Sequence, residues 1–255
     1  MRISKKWLNE YIPVNDLSDS EIDGLLSLSG TEIEETLYPW EGLKGVILGT
    51  VIETRPHPSH SRLIVCIIQL PGETKRLVTA DKTVKTGDRV LVALPGTVLY
   101  NGKRIEAHDF GGVLSEGMLC SLEELGLENK SDYVYRLTDE WPEGFLEDTV
   151  FEASITSNRP DELGMLGIAR ELYAVTKGRR PLTMPPADYD ILPDEGDSRF
   201  RITIAEPEDC YRYCGLIVRD IRPIDSPLWL KRALVASGLR SISFVVDVTN
   251  YVMLE

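Results

Sequence analysis

The stretch S-I-T-S-N-R-P-D-E-L-G-M-L-G-I-A-R-E-L at residues 154–172 constrains the fold more than any other part of the sequence. Its start predicts a helix, because Asn158 can accept hydrogen bonds from first-turn amides and Pro160 has no amide hydrogen to lose there. Gly178 is a typical stop. Apolar residues recur at helical spacing, namely Leu163, Leu166, Ala169, Leu172 and Val175. This apolar face of the helix must be buried against another part of the chain.

Residues 1–39 are the candidate cover, because they read as two short helices followed by a strand. Ser4 is expected to cap the first helix, and Ser18 with Glu21 forms a capping box that opens the second. A segment this small cannot hold a stable core alone. We therefore expect residues 1–39 and 152–180 to form one discontinuous N-terminal α/β domain.

The sequence pattern of residues 40–151 is typical of an all-β domain, with short runs of valine, isoleucine and leucine between glycine and proline turns. The candidate strands are 45–53, 62–70, 76–79, 89–94 and 133–137. Five short strands fit a small barrel, whose closure leaves no unpaired edge.

A basic stretch lies inside this all-β segment, although the chain as a whole carries a formal net charge of -13. Such an acidic protein can contact nucleic acid only locally. The candidate RNA-binding residues are Lys75, Arg76, Lys82, Lys85, Arg89, Lys103 and Arg104. They predict either a phosphate-facing hairpin or strands kept soluble by charge, and the sequence leaves both interpretations open.

The C-terminal part begins after a proline-rich acidic linker at 181–198. Residues 199–255 predict a mixed α/β domain, with strands at 200–204 and 213–218, a helix after Ser226, and a buried strand from residue 241 leading into a last helix. The four cysteines are expected to be buried, reduced thiols, with Cys210 and Cys214 alternating along a strand.

Several site classes find no support in the sequence. His57 and His60 form an H-x-x-H pair in a turn without a third ligand of the histidine or cysteine type nearby, so we predict no metal site. Neither a P-loop nor a strand-associated G-x-G-x-x-G is present. Because no signal peptide or membrane-length apolar run is found, we expect a cytoplasmic protein without a membrane partner.

The ordered motifs of the chain resemble a known family. H-P-S-H-S-R-L from His57 and G-V-L-S-E-G-M-L-C-S from Gly112 are similar to the tRNA-binding OB-fold appended to several aminoacyl-tRNA synthetases. With S-N-R-P-D before residue 162 and D-V-T-N-Y-V-M-L-E at the end, the whole set resembles the bacterial phenylalanyl-tRNA synthetase beta subunit. This resemblance implies an α+β multidomain fold, with an OB-fold barrel inserted into the N-terminal domain and the start of an editing domain after it.

The resemblance also implies functions. The full enzyme would attach phenylalanine to its tRNA with ATP and Mg²⁺, as a heterotetramer of two alpha and two beta subunits, and would hydrolyse mischarged tyrosyl-tRNA. Thr249 and Asn250 match the family's editing pocket, whose other residues are expected beyond Glu255; their alternative role is capping of the last helix. The resemblance therefore implies no complete catalytic site, no metal and no bound cofactor in this chain. A free-standing RNA-binding module and a scaffold for subunit assembly are the alternatives.

Overall fold

A computed structural model describes residues 1–138, 141–142, 144–186, 201–215, 217–218, 220–222 and 224–255. The strands are β1 (Arg2–Ser4), β2 (Glu32–Leu37), β3 (Val46–Pro56), β4 (Ile64–Leu70), β5 (Glu73–Thr79), β6 (Arg89–Ala93), β7 (His108–Asp109), β8 (Leu114–Ser115), β9 (Met118–Leu119) and β10 (Val150–Ser154). The α-helices are α1 (Lys5–Tyr11), α2 (Asp19–Ser29), α3 (Met165–Val175), α4 (Leu228–Ala236) and α5 (Phe244–Leu254).

The first two helices begin where their capping residues predict. Ser4 Oγ accepts from the Trp7 amide at 3.0 Å, and Ser18 and Glu21 form the reciprocal capping box of α2. Gly30 ends α2 with φ 101°, a left-handed conformation that glycine adopts without strain. These termini are fixed by local hydrogen bonds, which is why the sequence alone locates them.

The N-terminal helices lie against a three-stranded antiparallel sheet of order β1-β10-β2. Its central strand, β10, comes from a part of the chain far from its two neighbours, and Phe151 pairs with Ile3 on one side and Thr36 on the other. The shared core contains residues from both segments, namely Trp7, Leu8, Ile22, Leu26, Phe151, Met165, Ile168, Ala169 and Leu172. The predicted cover of the apolar face of α3 by residues 1–39 is therefore confirmed.

The beginning of α3 differs from the prediction. Residues Pro160–Glu162 form a separate 3-10 turn, α3 begins only at Met165, and Asn158 makes no cap. Gly164 occupies the N-cap position without a side-chain hydrogen bond, and Gly167 lies so close to the Asp161 carbonyl oxygen that a Cβ there would overlap it.

The later start of α3 changes which of its residues are buried. Leu163 is 56% exposed instead of inward, and Leu166 and Val175 are only partly buried. The buried face is formed by Met165, Ile168, Ala169 and Leu172.

The all-β segment forms a curled five-stranded antiparallel sheet of order β5-β4-β3-β6-β9. The long strand β3 pairs through its first half with β6 and through its second half with β4, with an irregularity between Val51 and Glu53. The free edge of β5 is joined by the Glu116 amide, which donates to the Arg76 carbonyl at 2.9 Å. The curl is thus continued by backbone hydrogen bonding toward β9.

The fifth strand is not the predicted one. Residues 133–137 form no strand beyond a single bridge between Val90 and Arg136, and β9 occupies the sheet position instead. Side chains hold this segment, because Asp81 accepts from the Val134 amide at 2.9 Å and from the Arg136 guanidinium at 3.0 Å. Val134 and Leu137 are buried without a continuous ladder, while Tyr133 is exposed.

The C-terminal predictions are partly wrong. Residues 201–204, 213–215 and 217–218 form no strand, while residues 187–200 and Leu216 lie outside the described residues. No described strand pairs with this exposed segment, so its backbone lacks the ladder that a strand requires.

The last predicted strand is also wrong, because helix α5 begins at Phe244 and Val245 is exposed. The cysteine prediction holds for Cys66 and Cys120, which are buried, and burial raises the pKa of Cys66 to about 11 and that of Cys120 to about 12. Cys210 and Cys214 are not buried, and all four thiols are free.

Helix α4 joins the N-terminal part, the β-sheet part and α5. Ala233 lies in the N-terminal core, and Ala236 lies in the core beside the five-stranded sheet. Arg232 donates to Asp148 at 2.9 Å, and Lys231 pairs with Glu128. The charged side chains of α4 thereby attach it to Asp148, just before β10, and to Glu128, after β9.

We predict that Gly167→Ala destabilises the N-terminal part by about 1–3 kcal/mol, the usual effect of forcing atoms into a filled core. The reason is the overlap of the added methyl group with the Asp161 carbonyl oxygen. Urea unfolding followed by helical circular dichroism measures the change.

The matched control is Gly24→Ala inside α2, where an added Cβ meets nothing within 4 Å. This variant should stabilise by about 0.5–1 kcal/mol, because alanine loses less backbone entropy in a helix. Equal effects of the two substitutions would contradict the packing of the 3-10 turn against α3.

Candidate functional site

The basic stretch 75–104 does not form the predicted hairpin. Strands β5 and β6 are consecutive in the sequence, but β4 and β3 lie between them in the sheet. The seven basic residues are therefore distributed over two non-adjacent strands and two loops. The interpretation as one phosphate-facing hairpin is wrong.

Three of the seven side chains are half-buried in strands. Lys75 pairs with Glu73 at 2.8 Å and with Glu116 at 3.8 Å, and the hydrogen bond to Glu73 raises its pKa. Arg76 has a buried Nε without a hydrogen-bond partner among the described residues, and Arg89 lies on β6. Because these three side chains are half-buried, their charges are less accessible to a ligand in solution.

The other four basic side chains are exposed in loops. Lys82 and Lys85 lie between β5 and β6, while Lys103 and Arg104 lie in the turn after β6. This turn is ordered, since the Leu99 amide donates to the Lys103 carbonyl at 2.9 Å. Exposed cations on ordered loops can approach a phosphate backbone without breaking internal ion pairs.

The two motifs at His57 and Gly112 meet at one end of the β-sheet. Nδ1 of the buried His57 accepts from the amides of Ser59 and His60, each at 3.1 Å, which fixes the turn. The His60 imidazole lies beside Gly111, where an added Cβ would come within 2.7 Å of its Nε2. The histidine pair thus has a structural role in the turn, which the sequence did not reveal.

No metal centre can be assigned to the described ranges, which bring no three histidine, cysteine, aspartate or glutamate side chains into a metal-binding arrangement. Among the helices described, none is long and apolar enough to cross a membrane.

Thr249 and Asn250 lie in the middle of α5. Thr249 Oγ1 donates to the Val246 carbonyl at 2.7 Å and faces outward, beside the exposed Val245, Val252 and Met253. Asn250 is half-buried at the edge of this face. The alternative role as helix caps is wrong, because both residues lie within the helix.

Asp247 is a buried carboxylate that sequence reasoning missed. It accepts from Ser226 Oγ and Ser241 Oγ at 2.5 Å each and from the Ile242 amide at 2.8 Å. Burial alone would raise the pKa of Asp247, but these hydrogen bonds outweigh it and lower the pKa. The two serines that precede α4 and α5 were the only available sequence signal.

Tyr251 on the inner face of α5 was also missed. Its ring stacks on Trp7 of α1, with centroids 4.3 Å apart and planes inclined by 19°, and Trp229 of α4 contacts it edge-on at 5.4 Å. The stack joins residues 244 positions apart, so no local pattern could reveal it.

Two family models match the chain, a putative tRNA binding domain over residues 46–145 and a B3/4 domain over residues 209–255. The phenylalanine–tRNA ligase beta subunit of Thermotoga maritima is 45% identical over all of this chain and 33% of its own length. The corresponding subunit of Thermosynechococcus vestitus is 36% identical, again over all of this chain and 32% of its own length. The chain is homologous to phenylalanine–tRNA ligase beta subunits.

This similarity confirms the resemblance of the ordered motifs, and a tRNA-binding domain model matches residues 46–145. The chain spans about a third of the length of the curated relatives it matches. A MetRS-related protein from Pyrococcus horikoshii has a TM-score of 0.27 at 19% identity, covering 38% of this chain and 83% of that one, which is too low to support a fold assignment.

We predict that Asp247→Asn destabilises the chain by about 1.5–3 kcal/mol at pH 7, the range for hydrogen bonds to a charged group. Because the folded-state pKa lies below the unfolded value of 3.8, the stabilisation is complete above that value and is lost as pH falls through the folded pKa. Urea unfolding of both proteins from pH 7 to pH 3 measures the difference.

The control is Asp225→Asn, a nearby exposed carboxylate, which should change stability by no more than about 0.5 kcal/mol. A wild-type minus Asp247→Asn difference that stays constant down to pH 3 would show that Asp247 is not a depressed carboxylate.

Proposed function

We propose that this chain is the tRNA-binding and partial editing portion, of the N-terminal type, of a phenylalanine–tRNA ligase beta subunit. The observation that carries the proposal is the order of a tRNA-binding domain followed by a B3/4 domain within a match that covers the whole chain. A free-standing RNA-binding module and a pure assembly scaffold are not favoured, because the match extends through every part of the chain.

The architecture we propose is an OB-fold barrel (40–151) inserted into an N-terminal domain (1–39 and 152–180), followed by a linker (181–198) and a partial editing domain (199–255). The pairing of β10 between β1 and β2 supports the insertion, since the chain leaves the N-terminal sheet after β2 and re-enters it at β10. The curl of the five-stranded sheet and the Glu116–Arg76 hydrogen bond support the barrel.

The barrel contacts phenylalanine tRNA through its exposed loop cations. Lys82, Lys85, Lys103 and Arg104 provide the phosphate contacts, while Lys75, Arg76 and Arg89 add to the local potential. The overall charge of -13 restricts binding to this region.

The editing portion contributes Thr249 and Asn250 to a hydrolytic pocket. In the reaction, water adds to the ester carbonyl, the bond from this carbon to the ribose oxygen breaks, and tyrosine and the free tRNA hydroxyl are released. Such a step is needed because an apolar pocket rejects an added hydroxyl by only about a hundredfold. We assign the hydrolysis to the full-length subunit, to which this portion contributes these two residues.

ATP and Mg²⁺ belong to the complete enzyme, a cytoplasmic heterotetramer of two alpha and two beta subunits. The described carboxylates, imidazoles and thiols do not gather into a site that fits Mg²⁺, so no step of activation is assigned to this chain. Its partners are phenylalanine tRNA and the alpha subunit.

The tRNA-binding proposal predicts a salt-dependent affinity of the isolated chain for phenylalanine tRNA. In filter binding between 50 and 200 mM salt, Lys82→Ala/Lys85→Ala and Lys103→Ala/Arg104→Ala should each weaken binding and reduce the slope of log K against log salt by roughly 0.7–0.9 per lost contact.

The matched control is Lys177→Ala/Arg179→Ala, which removes two exposed cations just after α3 and changes the net charge equally. Equal losses in all three double variants would attribute binding to net charge and contradict the loop contacts. A negligible affinity of the wild-type chain at low salt would refute tRNA binding by this portion.

The editing proposal is tested in the full-length enzyme assembled with its alpha subunit. Thr249→Ala and Asn250→Ala should slow deacylation of tyrosyl-tRNA about 10- to 100-fold, the range expected when groups that position a substrate are lost. Attachment of phenylalanine should stay unchanged, since the activation site lies elsewhere. Unchanged deacylation in both variants would refute the assignment of the pocket.

A further inference from the structure

Helix α5 is held at both ends by contacts that leave its outer face free. In its first turn, Asp247 accepts three hydrogen bonds from Ser226, Ser241 and the Ile242 amide. In its last turn, Tyr251 lies between two tryptophan rings. Two attachments about one turn apart determine both the axial position and the rotation of a helix.

The attachment at Tyr251 reaches into the N-terminal core. Trp7 is fully buried, its ring stacks on Tyr251, and its indole Nε1 donates to Tyr11 Oη at 3.1 Å. Tyr11 Oη in turn donates to Glu255 Oε1 at 2.6 Å. The surface that receives α5 is therefore rigid, because α1 packs into the core of the N-terminal sheet.

Helical geometry connects Tyr251 with the two pocket residues. Successive residues are separated by about 100° around the axis, so an inward Tyr251 places Asn250 at the edge and Thr249 on the outer face. If the stack is lost, α5 keeps its contacts at Asp247 and Glu255 but loses the ring contact that fixes its rotation at Tyr251. Both polar side chains would then move together relative to a substrate.

We infer that Tyr251 is a positioning residue for the editing reaction, acting through its stack on Trp7 to fix the orientation in which α5 presents Thr249 and Asn250. The inference rests on the proposed editing function. Tyr251 itself faces Trp7 and does not contact the substrate. The N-terminal domain thereby serves as a platform for the editing helix in addition to its place beside the tRNA-binding sheet.

The test uses the full-length enzyme assembled with its alpha subunit. Tyr251→Leu removes the ring but keeps an apolar side chain, and it should lower kcat for deacylation of tyrosyl-tRNA about 10- to 100-fold. The KM should stay within about twofold, because tRNA contacts outside α5 are unchanged. Tyr251→Phe keeps the stack and should restore kcat to within about twofold of the wild type.

Two further variants make the result specific. Trp7→Leu removes the other half of the stack and should lower kcat similarly, while the Trp7→Leu/Tyr251→Leu double variant should add little to either single loss. Tyr173→Leu is the matched control, since Tyr173 is an exposed ring on α3 outside the stack. It should leave deacylation unchanged. Attachment of phenylalanine, measured in every preparation, reports whether the enzyme is assembled.

The outcomes distinguish the editing function from the positioning role of Tyr251. If Thr249→Ala and Asn250→Ala slow deacylation but Tyr251→Leu does not, the positioning role is overturned and the editing proposal stands. If Tyr251→Leu only lowers the melting temperature and the yield of assembled enzyme, with kcat per assembled enzyme unchanged, the role is merely structural and the inference is wrong. If the pocket variants have no effect, both the editing proposal and this inference fail.

Discussion

The ion pair between Asp148 and Arg232 is the interaction that links the separate parts of this chain. The Asp148 side chain is 0% exposed and that of Arg232 is 6% exposed, so both charges have left water. Burial raises the pKa of Asp148, although Ser4 Oγ, the Lys6 amide and Arg232 all donate to its carboxylate. A buried charge with this many partners tolerates little displacement. It therefore joins the start of α1, the segment before β10 and helix α4 in one arrangement.

Helix ends that depend on hydrogen bonds within one turn of the chain could be predicted from the sequence. The caps of α1 and α2 were predicted because serine, glutamate and glycine satisfy the backbone groups next to them. The start of α3 could not be read in the same way, since its N-cap residue is Gly164, which has no side chain to accept a capping hydrogen bond. The last helix was predicted, but its first turns were taken for a strand because Val245, Val246 and Val248 favour extended structure locally. Asp247 overrides that preference through hydrogen bonds to residues outside the helix.

The same holds for the candidate sites: sequence motifs could be recognised, but contacts between residues far apart in the sequence could not be predicted. The order of the motifs sufficed for the resemblance, and Thr249 and Asn250 were proposed from it by correspondence. It could not place Lys75 and Arg89, because residues close in sequence lie on strands that two others separate. It also missed Trp7 and Tyr251, whose contact depends on how the first and last helices pack. Sheet order and helix packing depend on residues far apart in the sequence. A run of basic residues along the chain therefore need not form a continuous basic surface.

Helix α4 gives a further reason why a count of basic residues is a poor guide to RNA contacts. Lys231 and Arg232 are adjacent in the sequence and would suggest a basic patch, yet both side chains are buried and paired with Glu128 and Asp148. Their positive charge is used to hold the helix, so it contributes little to the field outside. A cation is available to phosphate only if leaving its internal partner costs little, which holds for exposed pairs and not for buried ones. The exposed loops of the five-stranded sheet meet this condition, and α4 does not.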